Sequence, residues 1–261
     1  MKIAFLAAAA LLASSAGARA EHMHDMADMT ATAEPASQFS VGASLTAADF
    51  QTKAYEGDYQ GITPQISWER GRFAAQAMIG VYWISENGAA YNGAGDAMLH
   101  GVATIVANES AAAGVAFGAM LPTGQEMYGL GMGHVMVMPS VWGMYGAGPL
   151  RIAASVGYTR ALTTLGGIQH DHGAWPLVDP MNMQEISWSA AADVAVWRKV
   201  RVGGRVAGGD PIDLATGVTR VTAGGRASWS NRRVETAVEV QAGVMGDPFT
   251  VRGVVETALR F

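Results

Sequence analysis

The last thirteen residues of the chain, Phe249 to Phe261, read FTVRGVVETALRF. At period two, Phe249, Val251, Gly253, Val255, Thr257, Leu259 and Phe261 share one face. Thr250, Arg252, Val254, Glu256, Ala258 and Arg260 share the other. One face is mostly apolar and the other carries the charges, the pattern of a strand with a dry side and a wet side. The same alternation recurs throughout the chain from Gln38 onward. Twelve segments carry it: 38–50, 59–69, 72–84, 96–107, 110–122, 133–145, 150–163, 185–197, 200–209, 217–229, 233–245 and 249–261. Apolar residues make up 50% of the chain and charged ones 15%, yet no apolar run beyond the N-terminus is long enough for a membrane-spanning helix. Apolar content dispersed by alternation suits a sheet with lipid on one side and a wet lumen on the other.

The connections sort into two sets. Those after the even segments are short: Arg70-Gly71, Asn108-Glu109, Gly146 to Pro149, Arg198-Lys199 and Ser230 to Arg232. Those after the odd segments are mostly longer, the longest running from Thr164 to Gln184, with Gly246-Asp247-Pro248 as a short exception. Short turns at one end and longer loops at the other are the mark of a transmembrane barrel. The expected fold is therefore all-β, an antiparallel up-and-down transmembrane β-barrel of about 12 strands over residues 38–261. An even strand count puts both ends of the barrel on the periplasmic side. Trp68, Trp229 and Tyr145 near short turns, and Phe50, Tyr82 and Trp83 near long loops, are expected to form the two interfacial girdles.

Residues 1–20 have the form of a cleaved secretory signal: Lys2, an apolar stretch from Ile3 to Ala13, and Ala18-Arg19-Ala20 as the cleavage site. Residues 21–37, EHMHDMADMTATAEPAS, lack large apolar residues other than Met and are expected to be a disordered His/Met-rich periplasmic arm. The absence of Cys excludes disulfide scaffolds and thiolate metal sites. A net charge of −5 without a basic tract argues against nucleic acid as a partner. The expected location is the bacterial outer membrane, with outer-membrane lipid and a small-molecule solute or metal ion as partners.

The terminal strand ending in Phe261 resembles the C-terminal signal read by the outer-membrane assembly machinery, which that resemblance implies as a partner. Between residues 93 and 135, Gly93-x-Gly-Asp96, Leu121-Pro-Thr-Gly124 and Gly129-x-Gly131 resemble the outer-membrane barrels of the phenol-degradation MetA-pathway transporter family. That resemblance implies a channel for small, often hydrophobic, solutes and carries no catalytic residues. His22-Met23-His24-Asp25-Met26 with Met29 resembles the His/Met-rich leader of copper-resistance outer-membrane proteins.

With the apolar faces outward, the lumen acquires two sides. Gln76, Met78, Tyr82, Met98, His100, Met120, His134, Met136, Met138, Trp142 and Met144 point inward, and Met98, His100, Met120, His134 and Met136 are expected at roughly one height in the outer half. Arg201, Arg205, Arg220, Arg226, Glu235, Glu239, Gln241, Arg252, Glu256 and Arg260 point inward from the last four segments. Thioethers and imidazoles suit Cu(I) or Ag(I). The metal-ligating candidates are His22, Met23, His24, Met26 and Met29 in the arm, and His170 and His172, followed by Met181 and Met183, in the longest loop. Met also fills irregular gaps and adapts to apolar passengers. The Arg/Glu side reads either as paired charges stabilising the wall or as a filter for solutes. No Ser–His arrangement suits a nucleophile, since Ser140 lies about three inward positions below His134. Two functions follow: a channel for small, hydrophobic solutes, or a copper/silver-binding protein anchored by its barrel, neither of them enzymatic.

Overall fold

A computed structural model describes residues 37–51, 56–164, 177–178, 180–213 and 217–261. Twelve strands follow one another: β1 (Gln38–Gln51), β2 (Glu56–Arg70), β3 (Phe73–Glu86), β4 (Ala89–Ala107), β5 (Ala111–Leu121), β6 (His134–Ala147), β7 (Leu150–Thr164), β8 (Gln184–Trp197), β9 (Val200–Pro211), β10 (Arg220–Ser230), β11 (Val234–Met245) and β12 (Phe249–Arg260). Each pairs with its sequence neighbours, and β1 pairs antiparallel with β12, so the sheet closes into a barrel. Closure leaves no open edge and satisfies every ladder from within. At the seam the Phe39 and Phe261 amides each donate to the other's carbonyl, at 3.4 and 2.8 Å.

The tight turns at this end are set by local chemistry. The Asn108 side-chain oxygen accepts from the Ser110 and Ala111 amides, and that of Asn231 from the Arg233 and Val234 amides. Both are Asx turns, in which a side chain supplies the acceptor that the reversing backbone lacks. At the opposite end the connection between β3 and β4 differs from expectation. Instead of a long loop after Ile84, the two strands continue to a two-residue turn, Asn87-Gly88, with φ of 48° and 83°. Asn-Gly accommodates positive φ at both turn positions, so the hairpin extends above its neighbours.

The outward face is apolar from β1 to β12, with Ile66, Phe117, Val141, Val156 and Leu259 among its exposed residues. Such a band is stable against hydrocarbon rather than water. Near the short-turn end Phe39, Tyr145, Trp197, Trp229 and Phe261 are exposed, as Trp83 is near the other. Phe50, expected in a girdle, is instead buried inside the barrel, and Tyr82 takes the inward direction that alternation gives it rather than a place in the girdle. Phe249, which the alternation of the terminal strand assigns to the outer face, is buried as well. A register shift at Asp49/Phe50, where β1 meets the start of β12, breaks the alternation there.

The barrel interior is filled in storeys. At the end opposite the short turns, Phe50, Tyr59, Tyr82, Ile84 and Phe249 from the wall meet Leu130, Leu177 and Val178 from the loops in one apolar cluster. Beneath it lies a second cluster made of Met78, Met98, Met120, Met132 and Met136, with Met138, Ala161 and Met181 packed against it. Farther toward the short turns, Trp142 packs with Ala112.

Candidate functional site: the barrel interior

The segment joining β5 to β6 folds into the end of the barrel opposite the short turns. It contains a single 3₁₀ turn, Glu126–Tyr128, closed by Gly129 in the left-handed region at φ 67°. Asp96, an inward residue of β4, holds both ends of this segment. Its two carboxylate oxygens accept the Gly124 amide at 2.8 Å and the Met132 amide at 2.7 Å. A Cβ at Gly131 would stand 2.6 Å from the same carboxylate, and one at Gly124 would stand 2.6 Å from the Leu130 carbonyl. The Gly-x-Gly-Asp, Leu-Pro-Thr-Gly and Gly-x-Gly stretches, separate in sequence, therefore meet at one carboxylate. The loop in turn receives the next one: Leu177 donates its amide to the Gly129 carbonyl at 3.0 Å, and the Tyr59 hydroxyl donates to the Val178 carbonyl at 3.4 Å.

Under this cover the sheet register aligns the methionines. Met78 faces Met98, Met98 faces Met120, and Met120 faces Met136, so four adjacent strands carry Met in one row. Met136 is fully buried, at 0% exposure. The row below runs Gln76, His100, Gly118, Met138. His134 is buried one position above, opposite Thr164. Met181 reaches the cluster from the loop, while Met183 is exposed. His22, Met23, His24, Met26, Met29, His170 and His172 lie outside the described residues.

The opposite wall is charged. Glu185 of β8, 1% exposed, accepts Arg220 of β10 through both oxygens at 2.7 and 2.9 Å. It also accepts the Asn182 amide and side chain. Asn182 links onward to the Val218 amide and carbonyl, tying the ends of two loops to the wall. A second network crosses strands. Gln76 donates to Gln65 at 2.7 Å, and Gln65 to Glu256 at 2.9 Å. Arg226 lies 3.9 Å from Glu256 and 3.4 Å from Glu239. Gln241 donates to Glu239 and accepts Arg252 at 2.7 Å, and Arg252 stands 4.3 Å over the Phe249 ring. Nearer the short turns, Arg201 pairs with Asp193 and Arg260 with Glu235. In a low-dielectric lumen such pairing compensates most of the charge desolvation.

Sequence reasoning passed over Glu185, Asp193, Gln65 and Arg151. Period-two counting within β8 puts Glu185 and Asp193 on the same face as Ser187 and Ser189. The signal is the same period-two alternation that β9–β12 carry. Asp96 closes the Gly-x-Gly-Asp motif, and spacing along the chain does not show what its carboxylate holds.

Between the two walls lies a cavity of about 250 Å³. Met98, His100, Met138, Trp142 and Met181 line one side, and Arg205, Arg220 and Arg252 the other. Ser140, Ser155, Ser187, Ser189 and Thr159 place hydroxyls between them.

No protein-family model matches the sequence, and no curated protein matches it. Solved structures do. The COG4313 outer membrane channel from Pseudomonas putida F1 superposes with a TM-score of 0.62 at 10% identity, covering 88% of this chain and 97% of that one. The KdgM porin gives 0.54 at 11% identity, covering 85% and 99%. The translocator domain of the autotransporter NalP from Neisseria meningitidis gives 0.54 at 14% identity, covering 94% of each. At these identities the likeness is one of fold: the chain has the architecture of outer-membrane barrels.

Proposed function

We propose that the protein is an outer-membrane channel for small solutes with an apolar part, its N-terminal arm in the periplasm and its terminal strand read by the outer-membrane assembly machinery. The observation that carries this reading is the internal cavity beneath a mouth covered by loops rather than by strands. A loop hung on hydrogen bonds can swing aside at modest cost, whereas a strand cannot leave the wall without breaking a ladder. Met-rich surfaces beneath the cover reshape around passengers of different outline. The channel likenesses, and the resemblance to the phenol-degradation MetA-pathway family on the residues that fold together at Asp96, agree with it. Single-channel recording in planar bilayers tests the reading. Resolved conductance steps, raised by loosening the loop, are the expected outcome; a barrel silent under all voltages, with the loop intact or loosened, would remove it.

A second reading draws on the segregation of sulphur. Among the described buried residues, the mouth cluster has no Met, whereas the cluster below it is all Met. Apolar filling alone gives no reason for two neighbouring clusters to sort this way. Thioethers are soft ligands, and the row could hold Cu(I) or Ag(I). Ag(I) calorimetry on the full chain, with Met120→Leu/Met136→Leu and separately with the arm residues His22, Met23, His24 and Met26 substituted, decides between cluster, arm and neither. Equal Ag(I) uptake by the wild-type and Met120→Leu/Met136→Leu proteins would exclude the cluster.

A further inference from the structure

The cavity presents two walls of opposite character. Met98, Met138 and Trp142 offer thioethers and an indole, surfaces that accept aromatic and aliphatic bodies. Across from them Arg205, Arg220 and Arg252 face the same space, with Glu185 and Asp247 as the lining carboxylates. Glu185 is engaged by Arg220 through both oxygens. Arg205 lies within the field of Glu239 and of the like-charged Arg252. The excess extends beyond the lining. Among the described inward positions of β7–β12, arginine stands at 151, 201, 205, 220, 226, 252 and 260, against carboxylates at Glu185, Asp193, Glu235, Glu239 and Glu256. Adding Asp247 of the β11–β12 turn still leaves cations in excess.

Arg205 and Arg252 both face this space, and the fork of Arg matches a carboxylate. We propose that the cavity takes small amphipathic monoanions, each an apolar body bearing one carboxylate. The carboxylate sits between Arg205 and Arg252, and the body lies against Met98, Met138 and Trp142. The hydroxyls of Ser155, Ser187 and Ser189 flank the path and solvate the remaining oxygen lone pairs. This inference rests on the channel reading for its biological use, though the binding site itself does not require the pore to open.

The test uses the full refolded chain and three probes of similar size: benzoate, benzylamine and toluene. Calorimetry measures binding, and the reversal potential in a potassium chloride gradient measures ion preference. The expected result is benzoate bound at least tenfold more tightly than benzylamine, with a reversal potential favouring chloride. Arg205→Gln/Arg252→Gln should bring benzoate down to the level of toluene, while Arg205→Lys should retain most of it. Heat-modifiable migration on gels confirms that each variant is a closed barrel. Equal affinity for benzoate and benzylamine, or a cation preference, overturns the proposal even if the pore conducts. Strong benzoate preference in a barrel that never conducts supports the site and removes the channel reading.

Discussion

At the scale of single residues, Asp96 fixes the segment that covers the mouth. Its carboxylate is the acceptor for two loop amides, one at each end of the segment that covers the lumen. Removing the acceptor leaves two partly buried N–H groups without it, at about 1–3 kcal/mol each. Asp96→Ala should therefore free the loop while the barrel stays closed, seen as raised conductance with unchanged heat-modifiable migration. Asp96→Asn keeps one acceptor oxygen and should fall between. Gly131→Ala should act in the same direction, because its new methyl must displace the carboxylate. The sequence displayed these residues but not their meeting. In the sequence, glycines 124, 129 and 131 carry only a motif resemblance, whereas the requirement for small size at 124 and 131 comes from a tertiary contact that spacing along the chain does not reveal.

At the scale of elements, period two carried the fold a long way. It gave twelve strands and the short-turn end. It failed where the backbone leaves strict alternation, as at the register shift that turns Phe50 and Phe249 inward, and where a two-residue Asn-Gly turn replaced an expected loop. The role of β8 was lost for a different reason: its inward residues are mostly Ser and Ala, so Glu185 and Asp193 read as isolated charges. Glu185 joins β8 to β10 across the intervening β9 and anchors Asn182 and, through it, Val218. Truncating one member of a buried pair strands its partner. Glu185→Ala should lower unfolding free energy by about 3–5 kcal/mol in urea titrations of the micelle-refolded protein. Glu185→Leu/Arg220→Met removes both charges and should recover most of that loss. A double variant as unstable as the single one would mean that the anchoring of Asn182, not charge compensation, is what Glu185 supplies.

At the scale of the whole molecule, the barrel turns the usual arrangement of a folded chain inside out, with charges and amides within and a continuous apolar band without. The band makes a depth-dependent prediction that a soluble barrel would not share. Val141 and Val196 are both outward and almost equally exposed, at 58% and 62%. Val141 lies midway along β6, while Val196 stands at the short-turn end of β8. In water the two positions are equivalent, and Arg at either should change stability little. In a bilayer, Arg near the midplane costs about 2–4 kcal/mol, and near the interface about 0–1, where the side chain reaches the headgroups. Val141→Arg should therefore destabilise the protein strongly in lipid vesicles and Val196→Arg only weakly, measured by urea unfolding of each variant against wild type. The difference should shrink in short-chain detergent micelles, whose thin and deformable apolar layer lets a midplane cation find water. Equal costs for the two substitutions in vesicles would mean that the band does not lie across a bilayer, and the channel reading would fall with it.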